Sequence, residues 1–297
     1  MKTSIIIPVF NRVDFTQKCL ESIFQAGSRY PFEVIVVDNA SSDGTEKYLE
    51  SLEDKIITIR NEKNLGFAKA CNQGAGIAKG KYLLFLNNDT IVTEGWLDIL
   101  VEELDDDFSS AAAGSKLLYP DDTIQHAGVV FGEDKIPYHI YARERKEKHY
   151  VNKKRKFNAV TAACMLVRKD IFKKVGGFDE NFVNGYEDVD LCLRIKETGK
   201  DIVYCPQSVV YHYESISEGR ADKLQENKVL FLEKWGSKIK QDDYRYTLED
   251  DTHEQNSIII DQKKELAELR NELQIITSSK FWKIRNLYMK YKSKIFS

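Results

Sequence analysis

Residues 33–45 of the 297-residue chain read Glu33-Val34-Ile35-Val36-Val37-Asp38-Asn39-Ala40-Ser41-Ser42-Asp43-Gly44-Thr45, and this stretch decides the fold. From Val34 to Val37 the run is apolar without alternation, which predicts a strand buried on both faces, as in a parallel sheet. Ser41-Ser42-Asp43-Gly44 has turn and helix-cap chemistry, so a helix is predicted to follow through about Leu52. Upstream, the β-branched run Ser4–Phe10 predicts a first strand. Asp14–Gln25 has helical spacing, with Phe15, Cys19, Ile23 and Phe24 on one face. Downstream, the pattern predicts a strand at Ile56–Arg60, a small-residue helix at Gly66–Ala78 and a strand at Lys81–Leu86. That strand ends on Asn87-Asn88-Asp89-Thr90, and a helix is predicted at Trp96–Leu104. Strands alternating with helices imply an α/β fold with a parallel, doubly wound sheet. Ligands of such sheets sit at the carboxyl ends of the strands, where Asp38 and Asp89 fall.

Residues 110–235 are less regular. Ala162–Val167 and Ile202–Cys205 read as short strands and Tyr186–Thr198 as a helix, together a mixed extension of the sheet that closes over a ligand. Composition limits what that ligand is. Hydrophobic residues make up 42% of the chain, enough for a core, and the net charge of −3 argues against a nucleic-acid partner. An anionic protein that holds a diphosphate needs a cation or a local positive site. The five cysteines, Cys19, Cys71, Cys164, Cys192 and Cys205, include no C-x-x-C pair and read as reduced core residues of a cytosolic protein. No apolar run reaches transmembrane length. The apolar start is too short for a signal peptide and is ended by Asn11, Arg12 and Asp14. Sequons at Asn39 and Asn88 fall among the candidate site residues, which a cytosolic location reconciles.

Four groups of residues could carry chemistry. Asp38 closes a strand, where its carboxylate could accept hydrogen bonds from a nucleobase or ribose, or could serve the turn that follows. Asp89, flanked by Asn87 and Asn88, suits a hard, oxygen-ligated cation such as Mg²⁺ or Mn²⁺; an Asx-turn is the structural alternative. Tyr186-Glu187-Asp188-Val189-Asp190 opens a helix, where acids favour the dipole. Three carboxylates so close also suit a general base whose pKa is raised by like charge. His212 is structural or, with Asp89, a metal ligand through a neutral nitrogen. Gly74-Ala75-Gly76-Ile77-Ala78-Lys79-Gly80 mimics a dinucleotide fingerprint, but it precedes a strand instead of following one.

Taken in order, SIIIPVFN (4–11), VVDNASSDGT (36–45), NLGFAKACNQG (64–74), LLFLNNDT (83–90), GGFDENF (176–182) and YEDVDLCLR (186–194) resemble the inverting glycosyltransferases of family 2, which have the GT-A fold. The resemblance spans roughly residues 3–235. It implies that Pro8, Phe10, Asn11 and Asp38 line a nucleobase pocket, and that Asn64, Gly66, Asn72 and Asn88 approach the nucleotide and its phosphates. Asp89 and His212 would hold a divalent metal, Mn²⁺ or Mg²⁺. Asp188 would be the catalytic base with Glu187 beside it, and Thr161, Ala162 and Ala163 the floor under donor sugar and acceptor. One position departs from the pattern: Asn87 stands where the metal-binding D-x-D motif has its first acid. The resemblance implies transfer of a sugar from a UDP- or dTDP-linked donor to a hydroxyl of a glycan or polyprenyl-linked acceptor, as in cell-surface polysaccharide synthesis. A non-catalytic nucleotide-binding scaffold is the alternative, with Asn87 as its support.

The sequence divides into a catalytic domain at 1–235, a polar linker or exposed helix at 236–257, a short heptad helix at 258–279 and a basic amphipathic helix at 280–297. Ile259, Gln262, Leu266, Leu269, Leu273 and Ile276 carry the heptad spacing, which would suit a homodimer. Residues 280–297 hold six cations and no acid, with Phe281, Ile284, Tyr288, Tyr291 and Ile295 in one stripe. That tail resembles the extension of bacterial polysaccharide glycosyltransferases and suits the anionic inner face of the cell membrane. Packing against the catalytic domain or a partner subunit is the other reading of it.

Overall fold

The computed structural model describes residues 1–213, 223–278, 280, 282–285 and 288. The first compact unit runs from Met1 to Asp243. Its elements, in chain order, are β1 (Thr3–Val9), α1 (Val13–Ala26), β2 (Phe32–Asp38), α2 (Thr45–Glu50), β3 (Ile57–Arg60), α3 (Phe67–Ile77), β4 (Tyr82–Leu86), β5 (Thr90–Val92) and α4 (Trp96–Asp106). Then follow β6 (Ser110–Leu118), β7 (Ile124–His126), β8 (Val129–Phe131), β9 (Pro137–His139), β10 (Arg155–Phe157), β11 (Cys164–Arg168), α5 (Lys169–Lys174), α6 (Glu187–Glu197), β12 (Asp201–His212) and α7 (Leu224–Trp235).

The central sheet has the order β10-β12-β6-β11-β4-β1-β2-β3, with β5 added to β12 and β7 to β6. The first four strands pair in parallel, β1 against both β2 and β4 and β2 against β3. β11 runs antiparallel between β4 and β6, so the sheet is mixed, as expected. Ile5, Ile6 and Ile7 of β1 are fully buried, each contributing about 1.5–3 kcal/mol of burial. At the edge, β3 is mostly exposed. The glycines of the fingerprint-like stretch are packing devices. A Cβ on Gly74 would lie 2.6 Å from Ile6, and one on Gly80 2.6 Å from the Ser4 nitrogen, so both let α3 and the chain after it lie against β1.

The 41–44 turn works differently from a helix cap. Gly44 takes the cap position in a left-handed conformation without a side-chain bond. Asp43 instead accepts from the Val13 N–H at 2.9 Å and the Thr45 hydroxyl at 2.6 Å, joining the starts of α1 and α2. The expected strand at Ile202–Cys205 is the first third of the longer β12. Pro206 cannot donate to a ladder, and the register slips between Cys205 and Val209 around it before pairing resumes. The resumed part delivers His212 opposite Thr90 of β5. All five cysteines are free and buried.

The second unit comprises Tyr244–Ser297. Helix α8 (Asp243–Ser278) is continuous over 36 residues and runs through both the polar stretch and the heptad stretch. Of the basic tail, Phe281, Tyr291 and Ile295 lie outside the described residues, as do Lys290, Lys292 and Lys294. Ile284 and Tyr288 are exposed, and Arg285 lies over the Trp282 ring at 4.9 Å. No described helix is long and apolar enough to cross a membrane.

Candidate functional site

A cavity of about 760 Å³ opens at the carboxyl ends of β1, β2 and β4. It brings together Pro8, Phe10, Asn64, Asn88, Asp89, Thr161, Ala162, Ala163, Glu187, Asp188 and His212 from distant parts of the sequence. One wall carries Asp89 and His212. Antiparallel pairing of β5 with β12 sets them side by side, with His212 Nε2 3.1 Å from Asp89 Oδ1. The other imidazole nitrogen, Nδ1, lies 2.6 Å from Gln125 Oε1. Gln125 is buried, and its amide is oriented by its own Nε2, which donates to the His212 carbonyl at 3.4 Å. The amide oxygen can only accept, so Nδ1 carries a proton, and in the neutral ring the Nε2 lone pair faces the cavity wall. Asn87 Nδ2 donates to that lone pair at 3.1 Å.

Two acceptors, Nε2 and a carboxylate oxygen, thus face each other at 3.1 Å. A divalent cation between them resolves the repulsion, so these residues fit a metal. Among the described residues no three His, Cys, Asp or Glu side chains cluster as a metal site. A metal held here would take Asp89 and His212 as its ligands among the described residues, and the rest would come from substrate oxygens and water.

The opposite wall is built at the start of α6. Asn184, Gly185 and Tyr186 all have positive φ, at 56°, 157° and 73°. Two of the three are non-glycine, a costly conformation that surrounding bonds must hold. Asn227 of α7 grips Val183 twice, accepting from its N–H at 3.2 Å and donating to its carbonyl at 2.7 Å. Asn184 Oδ1 accepts the first N–H of α3, from Phe67, at 3.3 Å. Glu187 accepts the Gly185 N–H at 2.5 Å. The turn so fixed presents Asp188, half-buried, with Oδ2 accepting the Ala162 N–H at 3.0 Å and Oδ1 the Val189 N–H at 2.8 Å.

The three acids of this segment do not share a site. Asp190 is fully buried and faces Arg194 (2.8 Å), Lys234 (2.7 Å) and the Trp235 indole N–H (2.8 Å). It ties α6 to α7, away from the cavity that Glu187 and Asp188 line.

Residues 161–163 form the floor between the two walls. Ala162 holds Asp188, and the Ala163 carbonyl accepts the Asn87 N–H at 3.1 Å. Below the floor, His126 spans from the Ser115 carbonyl (Nδ1, 3.0 Å) to the Thr161 N–H (Nε2, 3.3 Å). Burial, with His139 nearby, holds His126 well below the ordinary histidine range and therefore neutral. Burial likewise pushes the Cys19 thiol, beneath Asn87, up to about 12, so it stays a neutral packing group.

Four residues expected at the nucleotide do not line the cavity. Asp38 is fully buried; its carboxylate takes the Ser41 N–H at 2.9 Å and an ion pair with Arg60. Asn11 bonds Ser41 and Ser42 across the turn. Gly66 starts α3 and accepts from Asn39 at 3.3 Å. Asn72 clasps Phe178, donating to its carbonyl and accepting its N–H. Asn39, next to Asp38, lines the cavity instead, as do Gln125, Tyr138, His139, Asn184 and Tyr186. Sequence reasoning missed Gln125 and His139 because β7 and β9 are three-residue strands with no periodic signal.

The family model "Glycosyl transferase family 2" matches residues 4–176. The chain belongs to glycosyl transferase family 2. A second model, "N-terminal domain of galactosyltransferase", matches residues 145–217. This family 2 chain is 36% identical over 234 residues to O-antigen biosynthesis protein RfbC of Myxococcus xanthus, across 76% of its own length and 18% of that protein's. It is 26% identical over 226 residues to the N-acetylglucosaminyl-diphospho-decaprenol L-rhamnosyltransferase of Mycobacterium tuberculosis, across 69% of this chain and 73% of the relative. The chain thus spans under a fifth of the first of these relatives. Among solved structures, the mannosyltransferase PcManGT of Pyrobaculum calidifontis, in complex with GDP-Man and Mn²⁺, superposes with a TM-score of 0.58 at 15% identity, over 98% of this chain and 84% of that one. That likeness shows the GT-A fold.

Proposed function

We propose that the chain transfers a sugar from a nucleoside-diphosphate donor, UDP- or dTDP-linked, to a hydroxyl of a glycan or polyprenyl-linked acceptor, with inversion. The observation that carries this reading is the convergence of Asp188 and the Asp89–His212 pair on one cavity over a shared floor. A sugar hydroxyl is a weak nucleophile at neutral pH. Asp188, with both oxygens steadied by backbone N–H groups, takes the hydroxyl proton as the oxygen closes on the anomeric carbon. The leaving diphosphate departs from the opposite face, and a single displacement inverts the centre. Pro8, Phe10, Asn39 and Asn64 hold the nucleotide end of the donor.

Asp89 and His212 would hold a divalent metal, whose chemistry is to neutralise charge growing on the diphosphate. Gln125 keeps the His212 proton on Nδ1 and so keeps Nε2 available. The rhamnosyltransferase relative acts on a decaprenol-linked acceptor by its name. That supports a lipid-linked acceptor here and a place at the inner face of the cell membrane, with the basic residues after Ser278 toward the lipid.

Thermal unfolding of the purified protein with UDP-, dTDP- and GDP-sugars, with and without Mn²⁺, tests the reading. A donor at one hundred times its Kd stabilises by about 2.7 kcal/mol. Asp89→Ala is expected to lose the Mn²⁺-dependent part of that gain and to keep the metal-free part. Equal Mn²⁺ dependence in the variant would remove Asp89 from the site.

A further inference from the structure

Helix α8 carries a face whose apolar side chains are about half exposed: Leu266 at 48%, Leu269 at 55%, Leu273 at 60% and Ile276 at 52%. Their spacing of three, four and three residues keeps them in one stripe along the helix. Half-exposed leucines at heptad spacing are what a single helix shows when its seam has no second strand beside it.

We propose that a second copy of this chain occupies that face, forming a parallel, in-register two-stranded coiled coil over residues 259–277. The charges flanking the seam select the partner and its direction. With Ile259, Leu266 and Leu273 at a positions and Gln262, Leu269 and Ile276 at d positions, the g positions hold Ile258, Glu265 and Glu272. The e positions hold Lys263, Arg270 and Thr277. In a parallel pair each g residue meets the e residue five places on in the other strand. Glu265 then meets Arg270 of the second copy, twice by symmetry, and no like charges meet. Glu272 meets Thr277. In an antiparallel pair g faces g and e faces e. Glu265 would then face Glu272, and Lys263 would face Arg270, so both flanks would repel.

Gln262 fixes the register. In register, its amide meets the same amide of the second copy, where each can donate and accept. A slip of one heptad would set it against Leu269 and leave its buried groups unpaired. The helix around this seam is long enough to support pairing, since α8 runs unbroken for 36 residues, about 54 Å.

The test is sedimentation equilibrium of the full chain over a wide concentration range, with circular dichroism confirming helix content in each variant. The expected mass is twice 34.3 kDa, falling to the monomer on dilution. Leu269→Glu with Leu273→Glu should give monomer throughout. Glu265→Lys should raise the dimer dissociation constant by about 3- to 30-fold, because two symmetry-related pairs are lost. That loss marks the parallel arrangement, since in an antiparallel pair a lysine at position 265 would face Glu272 and strengthen it. Adding Arg270→Glu should restore affinity by re-forming the 265–270 pair with its charges exchanged. Leu273→Cys should form an interchain disulfide on mild oxidation; the five native cysteines are buried and do not compete. A monomer at every concentration, a larger assembly, a dimer indifferent to the Leu269 and Leu273 changes, or no disulfide at residue 273 would each overturn the proposal. So would a stripe that binds anionic vesicles while the chain stays monomeric.

Discussion

Asn87 donates through Nδ2 to His212 Nε2 at 3.1 Å, a bond that an aspartate in its place could not make. The same lone pair is the one a cation would use, so Asn87 and the metal compete for it. Gln125 decides that the lone pair is there at all, and nothing in the sequence pairs it with His212, 87 residues away. Gln125→Leu is expected to leave the fold intact and to weaken Mn²⁺ binding about 10–100-fold, as loss of a group orienting a ligand does. The measurement is a Mn²⁺ titration of thermal stability in the presence of UDP. An unchanged midpoint would show that His212 needs no orienting partner. At this scale the sequence exposed Asp89, Asp188 and His212, because each sits beside a strand end or a helix start that local pattern reveals. Asp38 looked equivalent to Asp89, yet its register partner on β3 is Arg60, and an ion pair takes its carboxylate. That pairing exists only once β2 and β3 lie together.

The elements that position the site differ in how they are built. β1, β2 and β4 are held by burial and were legible from their apolar runs, whereas β3 at the edge is mostly exposed. The 183–186 turn is held by polar bonds against unfavourable φ values, and its anchor, Asn227, lies on a different helix. Asn227→Ala removes both bonds to Val183, each contributing about 0.5–1.5 kcal/mol. Because the turn carries Asp188, sugar transfer should slow by more than the loss of folded protein explains, while donor binding changes little. Denaturant unfolding together with steady-state kinetics separates the two; a stability loss with full specific activity would mean that the turn holds without its anchor. Pro206 hid the length of β12, since a proline argues against a continuous strand. The three-residue strands β5 and β7–β10 carry too few residues for any periodicity. The polar composition of residues 243–256 suggested a linker as readily as a helix, and continuity into the heptad stretch resolves it as α8.

For the catalytic unit as a whole, stability and chemistry meet at the floor. His126 is buried beneath Thr161 and stays neutral in the folded state. Below about pH 6.5 the unfolded chain takes up a proton there that the folded protein refuses. The stability His126 contributes is therefore full above that pH and is lost as pH falls, at up to about 1.4 kcal/mol per pH unit. His126→Gln should flatten the decline measured by denaturant unfolding between neutral and mildly acidic pH; an equally steep decline would place its origin elsewhere. The parallel half of the sheet was foreseeable from the chain's alternation and a mixed extension from the less regular stretch after residue 110, whereas the closing of the two halves over one cavity required β11 and β12 to fold back antiparallel and parallel onto β6. The reading of the molecule as a sugar transferase then turns on Asp188, and the most direct measurement is transfer and donor affinity in Asp188→Asn, with the donor identified by thermal unfolding. The account predicts a fall in kcat of about 10²–10⁴-fold with the donor Kd unchanged. Transfer at the wild-type rate in that variant would contradict it.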